Sequence, residues 1–368
     1  MQLPEELYVH EADAQAVWHK FPFIDPTLPF LGKNTTRLAV LARDRTYPLN
    51  AFRFTLFPGK SNEEVNTLFF KSAERGVAAI NALLKEHVPE HFQDLELHPP
   101  LEPFDIFSFV QDAHFNFEQG RKEATFRNRI KREAYQSCRL LELAYRATTI
   151  DECPLVLNAV QYAPLVKKSL EDLLGFTNRT SCEKEGGIFS CWDTTPDIKV
   201  YSTKNVPMPF RVKYLGPDQS YVPNYKSIFM KIYKEREQAE EIKDYLGAEL
   251  IVEDDEERDA LITFLRKETR PVGTFERYKD TRKQRAGSAS SSEYGIIKFI
   301  LRIPVPVQRE LSMPGIFYER VPVEMQILTL QDHRIRTQRP EVAHQAYKKR
   351  QFLEIFPALF PRTLYEFS

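Results

Sequence analysis

Two things are scarce in this 368-residue chain: cysteine and any long apolar run. The four cysteines, Cys138, Cys153, Cys182 and Cys191, form no CxxC pair, so neither a zinc knuckle nor a disulfide framework is indicated. A Cys182–Cys191 bridge is open to the chain, but reduced thiols in a cytoplasmic protein are the expectation, and the sequons at Asn34 and Asn178 are then chance matches. No apolar stretch approaches the roughly 18 residues a bilayer-spanning helix needs. The acidic, polar start MQLPEELYVHEADAQ is unlike a secretory signal. No membrane partner is therefore expected. Charge of one sign is also lacking: 51 Lys+Arg face 52 Asp+Glu, a net charge of -1. Any basic surface for a polyanion has to be local. No internal repeat is present. What remains is an ordinary globular composition, 42% hydrophobic and 28% charged, at a length that suggests two domains, or three.

Residues 1 to about 60 are rich in proline and aromatics and suggest short strands and loops. Ser61 reads as an N-cap, with Glu63 and Glu64 suited to the first turn of a helix that runs to about Lys85. A proline-punctuated connection leads to a long helix over 118–148, whose basic first half reads as a solvated face. A helix over 162–174 ends at Gly175. The segment FTNRTSCEKEGGIFSCWDTTPD reads as loop with one short strand. Beyond it the pattern alternates. IKVYS and FRVKYL are strand-like, NYKSIFMKIYKEREQAEEIKDY is an amphipathic helix, and GAELIVED is a strand. DEERDALITFLRKE is a helix, RPVGTFERYKDTRKQRAGSASSS a basic loop, YGIIKFILRIPV and VPVEMQILTL strands, and EVAHQAYKKRQFLEIF a closing helix. That order predicts an α+β fold, a mixed sheet flanked by helices. It sets a mostly helical N-terminal region, 1–195, before a second domain, 196–368.

The strand VPVEMQILTL puts Glu324 and Gln326 on one face, which is either the wet side of an ordinary strand or the floor of a metal-dependent site. Several motifs decide between these. EMQILT begins at Glu324 and His333 follows nine residues later; AHQAYKK spans 343–349; DYLGAELI begins at Asp244; Ser227, Ile228 and Lys231 fit S-I-x-x-K; YKD spans 278–280, and SEYG carries Tyr294. In order and spacing, over about 225–350, they resemble the synthetase domain of the RelA/SpoT alarmone enzymes.

The resemblance implies a nucleotidyltransferase-like fold that moves pyrophosphate from ATP to the 3′-hydroxyl of GDP or GTP. It implies Mg²⁺ as cofactor, held by Asp244 and Glu324, since this cation takes carboxylate oxygens. Glu324 is also a candidate general base, and Gln326 could orient a substrate hydroxyl. Ser227 and Lys231, one helical turn apart, with Lys226, would hold ATP phosphates. Tyr294 would stack on the acceptor guanine. The loop over 266–285, with eight basic and three acidic residues, would receive acceptor phosphates through Lys279 and Arg282, and Lys226, Arg211, Lys213 or Lys298 could reach phosphates from new directions. His333 and His344 would support the site from behind.

The chain departs from the family pattern as well. Tyr221 and Pro223 stand in place of an R-x-K pair, Glu249 and Leu328 in place of arginines, and Ile296 and Lys298 in place of Ser and His. The hydrolase of bifunctional family members is not expected, because the chain has no His-Asp dipeptide. Three readings follow: a divergent pyrophosphotransferase acting on ATP and a guanine (purine) nucleotide, a catalytically silent relative that binds nucleotide or a protein partner, and an enzyme that pyrophosphorylates an RNA 3′ end. The region 1–195 is the candidate surface for a protein partner.

Overall fold

A computed structural model describes residues 59–103, 128–184, 187–202, 205–214, 223–235, 239–269, 275–281, 295–307, 317–338 and 344–365. The segment expected to hold short strands before residue 59 and the basic stretch 121–127 lie outside them. Two compact units emerge, and neither is one stretch of chain. A helical unit takes residues 1–153, 223–242 and 349–368, and a sheet unit takes 154–222 and 243–348.

In the helical unit, α1 (Asn62–His87) opens with the capping box its sequence indicates. Ser61 Oγ accepts from the Glu64 N–H at 3.2 Å while Glu64 accepts from the Ser61 N–H at 2.6 Å. A 3₁₀ turn (Pro89–His91) and α2 (Phe92–Leu95) follow. Next come α3 (Asn128–Asp151) and, later in the chain, α5 (Tyr225–Glu235). Helices α1 and α3 meet closely at Gly76, where a Cβ would lie 2.8 Å from the Leu143 Cβ. Any side chain there would push the helices apart.

The sheet unit is an α+β assembly around one mixed sheet. Helix α4 (Pro154–Leu174) starts eight residues before the sequence expectation and continues through Pro164. The segment expected as loop with one short strand is instead a two-stranded hairpin, β1 (Arg179–Lys184) against β2 (Gly187–Asp193). The first strand, RTSCEK, is polar, which hid its alternation. Cys191 in β2 is disulfide-bonded, contrary to the expectation of reduced thiols, while Cys153 is free and buried. Strands β3 (Lys199–Ser202), β4 (Phe210–Val212) and β5 (Leu246–Val252) come next, then α6 (Asp255–Thr269). Strand β6 (Glu276–Asp280) forms within the expected basic loop, followed by β7 (Ile297–Val307) and β8 (Phe317–Thr329). The eight strands run in the order β1-β2-β3-β5-β8-β7-β6, with β4 on β5. Among the described strands only β5–β8 pair in parallel; the other pairs are antiparallel.

Helix α7 (Leu330–Gln338) was not anticipated, because its sequence is polar all round. The signal that marks it is a cap: Thr329 Oγ1 accepts from the Asp332 N–H at 3.1 Å and donates to Asp332 Oδ2 at 2.8 Å. Helix α8 (His344–Leu359) and α9 (Arg362–Tyr365) close the chain, their residues from Lys349 onward belonging to the helical unit. No described helix is long and apolar enough to cross a membrane.

Alternation along β5, β8 and β7 sorts their side chains onto two faces. One face stacks Leu246, Ala248 and Leu250 beside Val323, Met325 and Ile327, and these beside Leu301, Phe299 and Ile297, all buried. The opposite face is polar where the three strands meet. Gly247 pairs with Glu324, Glu249 with Gln326, and Gln326 with Lys298. It turns apolar toward β3, where Tyr201, Ile251 and Leu330 pack with Cys191.

Candidate functional site

The polar face gathers carboxylates that lie 80 positions apart in sequence. Asp244 stands two residues before β5 and Glu324 inside β8. Because β5 and β8 are parallel, and Gly247 rather than a side-chain-bearing residue faces Glu324 across the pair, the two acids reach a common point. A lysine ammonium occupies that point. Lys213 Nζ lies 3.4 Å from Asp244 Oδ2 and is ion-paired to Glu324 Oε2. The three side chains are 14%, 8% and 12% exposed, so water screens their charges weakly.

Four local features bring Lys213 there. Strand β4 pairs antiparallel with β5 through three residues, and the Lys213 N–H then donates to the Tyr245 carbonyl at 2.7 Å. The next residue, Tyr214, has φ +61°, a left-handed conformation that a bulky side chain adopts at a cost of order 1–3 kcal/mol. That turn aims the Tyr214 hydroxyl at Asp244 Oδ2, to which it donates at 3.0 Å, and sets its ring edge-on to Tyr245. Beneath the lysine stem lies Gly247, where a Cβ would sit 2.7 Å from Lys213 Cε. The glycine is the bed on which the lysine lies.

Gln326 donates its amide N–H to Glu324, fixing the carboxylate from the same strand face. Burial works to raise the Glu324 pKa, but the charges of Lys213 and Lys298 outweigh burial and the opposing Asp244 charge, and hold it below the usual carboxylate value. Glu324 is therefore an anion at neutral pH.

One strand pair along, Glu249 receives a two-pronged contact from Arg336 of α7, at 2.7 and 2.8 Å. Burial pushes the Glu249 pKa up, and the hydrogen bonds and charge of Arg336, aided by Arg211 and His333, bring it below its ordinary value. His333 takes a contact from Arg336 at its Nδ1, 3.1 Å away. Burial first, then the Arg336 charge, lower its pKa, so the imidazole is neutral at pH 7. Glu249 thus brings the Arg336 guanidinium to the sheet face.

Further along the row, Lys298 on β7 is half-buried beside Gln326 and directly opposite exposed Lys279 on β6. Strand β6 is irregular before Lys279, with Arg277 at φ +52°. Lys226, Ser227 and Lys231 lie on α5 in the helical unit. There Asn224 caps the helix by accepting from the Ser227 N–H at 3.2 Å, and Lys226 pairs with Glu86. Tyr294, Arg282 and the His344 side chain lie outside the described residues. The structure thus brings together Asp244, Glu324, Gln326, Lys298 and Lys279, with His333 behind Arg336. It places Lys213, expected only as one of several cations that could reach phosphates, against the two acids, and it adds Tyr214, Gly247 and Arg336, which sequence reasoning had not assigned to the site.

Among the described residues no group of three or more His, Cys, Asp or Glu side chains could hold a metal. Two carboxylates are nonetheless what Mg²⁺ uses when waters and substrate phosphates complete its shell. The donor set of Asp244 and Glu324 fits such a cation once Lys213 is turned aside. A separate cavity of about 340 Å³ lies between α4 and β4, lined by Ala163, Pro164, Met208, Phe210 and Val212, and it contributes no carboxylate. Compared with known proteins, the chain matches no family model and no curated protein. The RelA/SpoT resemblance therefore rests on the motif residues alone.

Proposed function

We propose that the protein is a divergent RelA/SpoT-like pyrophosphotransferase of nucleotidyltransferase-like fold, moving pyrophosphate from ATP to the 3′-hydroxyl of a guanine or other purine nucleotide. One observation carries this reading: the two acids that the motifs single out meet at one cation on the polar face of the β5–β8 pair. In the reaction the acceptor 3′-oxygen bonds to the β-phosphorus, the bond from that phosphorus to the oxygen bridging the α-phosphate breaks, and AMP leaves with the electron pair.

Asp244 and Glu324 would hold Mg²⁺, whose chemistry is to neutralise charge on the transferring phosphates. A carboxylate held as acidic as Glu324 suits cation binding better than proton abstraction, so the hydroxyl proton goes to water. Gln326 holds Glu324 in place, and Tyr214 holds Asp244. Lys298 and Lys279 face each other across β6–β7, a repulsive pairing that a phosphate would relieve.

A second reading, a nucleotide-binding relative without transferase activity, is favoured by Lys213, whose ammonium already sits against both carboxylates. Purified protein incubated with Mg²⁺, ATP labelled in its terminal phosphates, and GDP, GTP or tRNA separates the readings. Label on the nucleotide supports the proposal, and label on the tRNA moves the acceptor to RNA. Nucleotide binding without transfer supports the silent relative and overturns the proposal.

A further inference from the structure

We infer that Lys213 makes the acid pair selective for a divalent cation already carried on a polyphosphate, and against the free cation. This deepens the pyrophosphotransferase reading and rests on it. The ammonium is resident: its stem lies over Gly247, its backbone is tied to Tyr245, and its charge answers Asp244 and Glu324 together. A divalent cation bound by the same two carboxylates must displace it, since two cations at that point repel.

The displaced ammonium then needs an anion. A further acid on the same face, Glu249, already holds Arg336 through both oxygens. The adjoining side chains Arg211 and Lys298 are cations, Arg211 beside Gly247 in the strand register and Lys298 near enough for its charge to act on Glu324. A phosphate on the ligand would supply the anion that Lys213 loses. A free cation expels the lysine without rehousing it, whereas a cation that arrives on a polyphosphate brings the acceptor with it. Lys213 is then a positioning and selectivity residue, moving from the carboxylates to the phosphates as substrate enters.

The test measures binding, with Mn²⁺ as a paramagnetic replacement for Mg²⁺ and α,β-methylene-ATP as an analogue whose α–β link cannot be broken, so that its pyrophosphate cannot be transferred. Free Mn²⁺ affinity is read from its spin-resonance signal, and affinity for the preformed Mn²⁺–analogue complex by calorimetry. In Lys213→Met the affinity for free Mn²⁺ should rise on the order of tenfold, a typical size for a coupling between two ligands, while affinity for the complex does not rise. Gly247→Ala keeps the charge and dislodges only the stem, and free Mn²⁺ affinity should rise in it too. That variant keeps the inference testable if Lys213→Met does not fold. Equal affinity for free Mn²⁺ in wild type and both variants, with the complex still binding, overturns the role of Lys213 and leaves the metal reading standing. No binding of Mn²⁺ in either form to any of the three proteins overturns both.

Discussion

Each unit of the molecule buries a cluster of charges, and the two clusters are built in opposite ways. In the helical unit Arg139, Glu142 and Arg146 follow one another on α3, within one helical turn at each step, and all are almost completely buried. Arg139 also reaches the Ala358 carbonyl at 2.6 Å and the Tyr135 hydroxyl, and both guanidinium groups lie over the Tyr233 ring. Burial works to lower the Arg139 pKa, yet Glu142 and the two tyrosines hold it above its ordinary value. Two cations there share one anion, with carbonyl, hydroxyl and ring acceptors beside them. In the sheet unit one cation serves two anions. Its members come from the end of β4, the approach to β5 and the middle of β8, and they are aligned by a left-handed tyrosine and a glycine. A local cluster built from neighbours on one helix welds that helix into its surroundings. A cluster drawn from distant segments, with two acids on one lysine and backbone strain beside it, marks a candidate functional site.

The largest effect should come from breaking the helical cluster. Glu142→Ala leaves two buried guanidinium groups facing each other, and denaturant unfolding should show a loss of about 3–5 kcal/mol. The matching change in the sheet cluster should behave in reverse. Glu324→Gln removes one of two acids that repel, so its unfolding free energy should stay within about 1 kcal/mol of wild type. Pyrophosphate transfer, followed with labelled ATP, should nevertheless fall by about 100-fold or more, the scale of losing one charge-stabilising group from an active site. Equal losses of stability in the two variants would erase the distinction between the clusters.

Tyr214 sharpens the comparison on a smaller scale. Tyr214→Phe deletes the hydrogen bond to Asp244 and should lower stability by about 1 kcal/mol, while Tyr214→Gly should recover part of that by relieving the left-handed strain. Acid titration should give the smallest signal. The folded-state pKa values of Glu249 and Glu324 are depressed below 4.5. Their stabilising contribution is therefore present above that pH and lost as pH falls through the folded values. His333, depressed below 6.5, starts the decline earlier, because the unfolded chain takes up its proton first. Thermal melts should lose stability between neutral pH and pH 6 in wild type, less so in His333→Gln, and Glu249→Gln should flatten the steeper fall below 4.5.

How much of this was legible in the sequence varied with the physical signal. Apolar alternation identified β5, β7 and β8, and motif spacing singled out Asp244 and Glu324 before any geometry was known. Lys213 follows a strand of only three residues and acts through a long side chain lying over a glycine, a relation in space that no periodicity encodes. The polar face of α7 hid that helix, and with it Arg336, although the Thr329–Asp332 cap was readable. Charge in ERYKD concealed β6, and Pro164 concealed the first two turns of α4. The interleaving of the two units depends on long-range contacts that local pattern does not carry.

Crystals grown with Mn²⁺ and α,β-methylene-ATP test the central claim most directly, through the anomalous scattering of the metal. The account predicts a single strong peak bound by Asp244 and Glu324, with the Lys213 ammonium moved onto a phosphate oxygen. Nucleotide bound elsewhere, or Lys213 still paired with both carboxylates and no metal beside them, would contradict it.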